Sequence, residues 1–340
     1  MTHIDTTCVQ GGYQPGNGES RTPPIIQATT FKYTSSEQMS RLFDLSESGY
    51  FYTRLQNPTN DTVAAKICEL EGGAAAMLTS SGQAANFFAL FNICNAGDHI
   101  VASSAIYGGT FNLINVTMRK MGIECTFVSP DCTPEELDAA FRPNTKAVFG
   151  ESISNPALIV LDFDKFTAAA HDHGVPIIVD NTFPTPVNCR PFDYGVDIVT
   201  HATTKYMDGH GSCVGGAIVD SGRFDWMAHA DKFPGLTTPD DSYHGVTYAT
   251  DFGPGRLHHQ GHRAAHARLR FHAGADQLVD HGHAPGVAGR AHGTPLRQRT
   301  RRGEVPRSRP AHLMGELPGD WKATATMRWP PSTCRTARAA

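Results

Sequence analysis

One feature constrains this chain more than any other: a buried-strand pattern that stops on a single lysine. The largely apolar run Val196–Thr200 passes into His201-Ala202-Thr203-Thr204 and then Lys205, with Gly209, Gly211, Gly215 and Gly216 close behind. A short β-branched run without alternation reads as a strand covered on both faces, which is the parallel strand of an α/β sheet. A second such run starts at Val175 and ends at Asp180-Asn181-Thr182, about 25 residues before the lysine. Open α/β sheets collect their ligands outside the carboxyl ends of strands, so an acid and an amine are both delivered to ligand-binding positions. Lysine loses its proton readily when buried, and a neutral amine condenses with an aldehyde.

The rest of the chain builds the same alternation. Residues 1–55 carry glycine and proline punctuation with little periodicity and read as an extended arm, ending in Tyr50-Phe51-Tyr52-Thr53-Arg54 and Asn57-Pro58-Thr59. Thr59–Leu70 is predicted as a helix, capped by Thr59 or Asn60 and stopped by Gly72-Gly73. A strand over Ala74–Leu78 runs through Thr79-Ser80-Ser81-Gly82-Gln83 into an apolar helix over Ala84–Ile93. Strand, small-residue turn, helix leaves free amides at a helix N-terminus, where the dipole favours a phosphate, and makes Gly82 and Gln83 candidate donors. Strands are predicted at His99–Ser103, Glu124–Val128 and Lys146–Gly150, and helices at Pro134–Phe141 and Asp162–His173. Beyond Lys205 come a strand over Val214–Val219 and a short helix near Gly222–Ala230. The alternation predicts an α/β fold, a mostly parallel sheet with helices on both faces.

These motifs occur in an order that resembles the pyridoxal-phosphate-dependent Cys/Met metabolism family. Asp180-Asn181-Thr182-Phe183 and HATTKYMDGHG from His201 carry the likeness, which extends from the arm to about residue 255. The resemblance implies a fold-type-I transferase with pyridoxal 5'-phosphate as cofactor. It makes Lys205 the catalytic lysine, Asp180 the partner of the pyridinium nitrogen, and Tyr107 the ring that stacks on the pyridine and takes part in proton transfer. Gly82, Gln83, Thr182 and Thr204 join the cofactor-binding set; Asn155 approaches the phenolic oxygen and Glu151 supports the wall. Tyr52 and Arg54 are implied to reach the phosphate of a neighbouring subunit, so a homodimer or homotetramer is expected. An arginine can fork onto two phosphate oxygens and a phenol adds another hydrogen bond. One departure lies inside the site, since Ala202 stands where the family usually has a phosphate-binding serine. SYHGVTYA from Ser242 resembles the O-acetylhomoserine sulfhydrylase branch.

Composition separates two regions. Residues 1–256 carry a net charge of −13 and residues 257–340 one of +9. The latter contain no Ile, Tyr or Asn, and hold nine of the 17 histidines. No periodicity persists there, and neither the serine-leucine-glycine segment nor the carboxylate-binding arginine of the family's small domain is found. The region reads as an aberrant, frameshifted basic tail, disordered, with the small domain missing, following a cofactor-binding domain over 56–256. His258, His262 and His266 share a four-residue spacing, but glycine and poor patterning argue against a metal-binding helix, and no metal site is expected. The basic charge has no accompanying nucleic-acid motif.

No apolar run is long enough to span a membrane, and the N-terminus has neither a basic nor an apolar leader segment. The eight cysteines are scattered without a C-x-x-C pair, so a reducing, cytoplasmic location is expected. The activity implied is γ-replacement on O-acetyl-L-homoserine by sulfide, giving homocysteine and acetate in methionine and cysteine biosynthesis. The alternatives are methionine γ-lyase, cystathionine γ-synthase or lyase, and an inactive pyridoxal-phosphate-binding fragment.

Overall fold

The computed structural model describes residues 3–251 except 45 and 242–244. The expectations for residues 257–340, and for Ser242, Tyr243 and His244 of the SYHGVTYA stretch, lie outside the described residues. Seven strands form one sheet: β1 Ala75–Thr79, β2 His99–Ser103, β3 Glu124–Val128, β4 Thr145–Glu151, β5 Ile177–Asp180, β6 Ile198–His201 and β7 Gly216–Asp220. Their order is β1-β7-β6-β5-β4-β2-β3, and β7 alone runs antiparallel to its neighbours. The interior strands β2, β5 and β6 are buried at every residue, as the short apolar runs within them predict, whereas the edge strand β3 is mostly half-exposed.

Among the described residues the α-helices are α1 Ile4–Gln10, α2 Ser36–Phe43, α3 Pro58–Glu71, α4 Gly82–Phe91, α5 Gly108–Asn112, α6 Pro134–Asp138, α7 Phe163–Asp172, α8 Thr185–Asn188, α9 Pro234–Thr237 and α10 Tyr248–Asp251. The core beneath them is filled by Phe149, Phe163, Phe166, Phe192, Ile100, Ile114 and Ile177, all essentially inaccessible to solvent. Truncating one such phenylalanine to alanine costs about 3–5 kcal/mol. Among the described residues no helix is long and apolar enough to cross a membrane.

Several expectations are corrected. The arm is not uniformly extended, because it contains α1 and α2; the Ser35 side chain accepts from the Gln38 amide and starts the latter. Helix α3 begins earlier than expected: Asn57, not Thr59 or Asn60, is its N-cap and accepts from the Thr59 amide at 2.9 Å. Thr59 is otherwise engaged, its hydroxyl donating to Pro24 O and accepting from the Ile26 amide. The predicted helix near Gly222–Ala230 is a series of turns, with the Asp225 carboxylate accepting from the Ala228 amide. His201, expected in a turn, is the last residue of β6.

The chain leaves β2 toward the β3 edge and leaves β4 toward β5, so the connections after β2 and β4 diverge. A crevice outside the carboxyl ends of strands opens at such a switch point.

Candidate active site

The register of β4, β5 and β6 aligns Glu151 with Asp180 and Asp180 with Thr200. Side chains in register share a face and successive residues alternate, so these three point to one face while Ser152, Asn181 and His201 point to the other. On the first face Asp180 is buried and fully oriented. Its Oδ1 accepts from the Thr182 amide at 3.0 Å and the Thr182 hydroxyl at 2.5 Å, and its Oδ2 accepts from Asn86 Nδ2 at 3.0 Å. Asn86, on α4, also accepts from the Thr200 hydroxyl at 2.5 Å and donates to the Thr110 hydroxyl at 3.2 Å. The Thr182 hydroxyl spends its proton on Asp180 and accepts from the Ala202 amide at 2.7 Å. Asp180 is thereby tied to the turn that carries the lysine.

That turn is set by backbone bonds. The Lys205 amide donates to Ala202 O at 3.2 Å and the Gly209 amide to Lys205 O at 3.1 Å, with Gly209 at φ +74°, a left-handed conformation natural to glycine. Lys205 itself is exposed. Downstream, buried Asp208 accepts from the Ser212 amide at 2.8 Å and the Ser212 hydroxyl at 3.0 Å, bracing the glycine-rich return to β7. The Thr204 hydroxyl donates to Gly215 O at 3.1 Å and accepts from the Gly215 amide at 3.0 Å. Its donor is engaged within the loop, so a phosphate contact would require exchanging that bond.

At the start of α4, Ser81 is the N-cap and its hydroxyl accepts from the Ala84 amide at 3.1 Å. The Gly82 and Gln83 N–H groups belong to the first turn and have no acceptor inside the helix. Gly82 packs so tightly on the lysine turn that a Cβ there would lie 2.4 Å from Ala202 Cβ. Glycine at 82 thus brings a positive helix end onto the turn bearing Lys205. The Gln83 side chain points elsewhere, donating to Gly109 O at 2.9 Å.

The diverging connections meet at Glu151. Its Oε1 accepts from the Tyr107 amide at 2.6 Å and its Oε2 from the Asn155 amide at 3.2 Å, so one carboxyl group spans both. Burial, and then the charge of Asp180, push its pKa well above the ordinary carboxylate range, against the pull of these two amides. Tyr107 starts α5 with its ring 52% exposed, and Asn155 is exposed beside it. Tyr52 and Arg54 meet each other on the arm, the guanidinium 4.9 Å from the tyrosine ring centroid.

Two features of the strand ends escaped the sequence reading, one within the site and one behind it. Asn86 was legible only as a polar residue within the otherwise apolar run Ala84–Phe91. On the opposite face, Glu71 Oε1 accepts from His201 Nε2 at 2.6 Å and Asn181 Nδ2 at 2.9 Å, and Ser152 donates to Asn181 Oδ1 at 2.7 Å. Its sequence signal was an acid in the last turn of a helix, where the dipole disfavours negative charge.

Curated and solved proteins are similar to this chain. The homocysteine/cysteine synthase of Saccharomyces cerevisiae is 44% identical over 256 residues, 74% of this chain and 57% of that protein. The O-acetyl-L-homoserine sulfhydrylase of Corynebacterium glutamicum is 44% identical over 233 residues, 68% of this chain and 53% of that one. The chain therefore spans little more than half the length of the curated relatives it matches. A crystal structure of a Campylobacter jejuni protein assigned as an O-acetylhomoserine (thiol)-lyase superposes with a TM-score of 0.78 at 32% identity. It covers 85% of this chain and 70% of that one, and contains a pyridoxyl-lysine monophosphate.

The donor set here fits the same cofactor. Free amides at a helix N-terminus suit a phosphate, a fixed buried carboxylate suits a ring nitrogen, and an exposed lysine suits an aldehyde. Residues 5–262 match the family model for Cys/Met metabolism PLP-dependent enzymes, and with the strand-end acid, the lysine turn and the glycine-started helix assembled at the carboxyl ends of the strands, the chain belongs to that family.

Proposed function

We propose that this chain is the cofactor-binding core of an O-acetylhomoserine sulfhydrylase, acting on O-acetyl-L-homoserine and sulfide to give homocysteine and acetate. The observation that carries the reading is the linked chain Asn86–Asp180–Thr182–Ala202, which ties the ring-nitrogen acid to the lysine turn through hydrogen bonds of 3.0 Å or less. The choice of substrate is supported by the names of the relatives.

Pyridoxal phosphate, when bound, supplies an aldehyde that captures amines and a ring that takes up electrons released at the α-carbon. Lys205 Nζ holds the aldehyde and, when free, takes the α-proton. Asp180 keeps the ring nitrogen protonated, with Asn86 and Thr182 preventing its rotation. Gly82 and Gln83 bind the phosphate through their amides. Ala202 withholds the hydroxyl that a serine would add, a charge-assisted bond of about 1.5–3 kcal/mol. Tyr107 packs on the ring and moves protons; Asn155 meets the phenolic oxygen. Tyr52 and Arg54 serve a neighbouring subunit's phosphate in a homodimer or larger homo-oligomer, a role supported by their joint exposure on the arm. A cytoplasmic setting is supported by the free thiols of Cys8, Cys68, Cys94, Cys125 and Cys132.

A second reading, a core that binds cofactor but turns over poorly, is favoured by residues 257–340, whose composition departs from that of a packed domain. Reading the coding DNA in its other two frames past the Arg256 codon tests it, through recovery of a small domain with a carboxylate-binding arginine. Borohydride reduction of the cofactor-loaded chain, with peptide mapping, tests the main reading: label on Lys205 is expected, and label elsewhere overturns it. Sulfide, cysteine or water offered as acceptor then separates the sulfhydrylase from cystathionine and γ-lyase activities.

A further inference from the structure

We infer that the buried Glu71–His201–Asn181 network, on the face of the sheet opposite the candidate site, is a positioning device for the Lys205 turn. The inference rests on the reading of Lys205 as the cofactor lysine. His201 ends β6 and is followed at once by Ala202, whose carbonyl accepts from the Lys205 amide. The two adjacent residues are gripped from opposite faces: His201 by Glu71 of α3 at 2.6 Å, and the Ala202 amide by Thr182 at 2.7 Å. Asn181 links the grips. Its own amide donates to Thr200 O at 2.9 Å, its side chain donates to Glu71 Oε1 and Cys189 O, and it accepts from the Ser152 hydroxyl. Three strand ends and a helix end are thus fixed by one carboxylate oxygen and one amide.

The network does not have the character of a device for stability alone. The His201 and Glu71 side chains are 1% and 0% exposed, yet His201 Nδ1 and Glu71 Oε2 have no hydrogen-bond partner among the described residues. Burying such atoms unpaired opposes folding, and an apolar pair of the same shape would avoid that cost. What an apolar pair lacks is direction. A hydrogen bond to a carboxylate fixes the angle at which β6 ends, and hence where the amine four residues later is presented.

The test uses the full chain and reads cofactor binding instead of turnover. Affinity for pyridoxal phosphate, the pH midpoint of the bound cofactor's visible absorption and the thermal midpoint are measured for the parent, Glu71→Ala, Glu71→Gln and Phe166→Leu. Phe166 is a fully buried core residue of α7 and serves as the control for lost stability. Glu71→Ala is expected to weaken pyridoxal phosphate binding about tenfold or more and to move the pH midpoint. Glu71→Gln keeps an acceptor for His201 and Asn181 and is expected to rescue both readouts to within about twofold. Phe166→Leu is expected to lower the thermal midpoint and move neither. If Glu71→Ala fails to fold, Ser152→Ala carries the same expectation at about two- to fivefold. Parent-like affinity and pH midpoint in folded Glu71→Ala, or in Ser152→Ala where that variant is the one measured, overturn the inference. Equal shifts in Phe166→Leu do so too. A parent chain that takes up no pyridoxal phosphate overturns the site reading itself, and this inference with it.

Discussion

The two faces at the carboxyl ends of β4, β5 and β6 differ in one respect that explains their separate uses. On the Asp180 face both carboxylate oxygens are occupied, and the surrounding groups, Lys205 and Tyr107, are open to solvent. On the Glu71 face the side chains of Glu71, His201, Asn181 and Ser152 are closed to solvent and two polar atoms are left over. On the proposed reading, the first face uses its hydrogen bonds to hold a reactive group where a ligand reaches it. The second invests them in holding the strands, and tolerates unpaired atoms because the geometry of the strand ends is what it controls. Both arise from the same three strands through a one-residue alternation, so a shift of register by one residue would exchange them.

The comparison breaks most visibly at Lys205. Lys205→Ala should abolish covalent cofactor labelling and the visible absorption while leaving the thermal midpoint near that of the parent, since the residue is exposed. A large loss of stability would mean that the open face is structural as well. Ala202→Ser is expected to tighten pyridoxal phosphate binding by about one to two orders of magnitude, because a hydroxyl is added on the Asp180 face beside the α4 N-terminus. Titration by fluorescence would show this, and no gain would place the phosphate elsewhere. Asn86→Ala should cost cofactor affinity about tenfold, by freeing one side of Asp180 and leaving the Thr200 hydroxyl unpaired.

The smallest effect is expected at the opposite end of β6, remote from either face. There Asp197 accepts from His171 Nε2 and the Ile177 amide, both at 2.9 Å, and this hydrogen bond raises the His171 pKa. A histidine raised in the folded state adds stability that is fully present below its unfolded value, roughly 6.5, and is lost as pH rises through the folded value. With the ring 42% exposed, solvent screening limits the contribution to under about 1 kcal/mol. Urea midpoints between acid and alkaline pH should show this slope in the parent and lose it in His171→Gln, with cofactor affinity unchanged.

Much of this was legible in the chain. The strands that deliver Asp180 and Lys205 stood out because residues buried on both faces leave an unbroken β-branched run. Gly82 was legible because a helix starting from a small-residue turn is a local pattern. The N-cap of α3 was misplaced because Asn57, Thr59 and Asn60 are all good caps, and contacts from the distant arm residues Pro24 and Ile26 decide among them. The helices of the arm were missed because segments of seven and eight residues carry too few turns for a clear period.

The sequence by itself determined the α/β alternation, the lysine, the acid and the glycine-started helix, because each depends on neighbours within a few positions. Only the tertiary structure decided that Asn86 and Thr182 would orient Asp180, that Glu151 would span two diverging connections, and that Glu71 would grip His201 across 130 positions of chain. Those pairings depend on strand order and register. Hydrogen-bond direction in a buried layer is set by which residues the packed sheet brings opposite one another, and no local pattern encodes it.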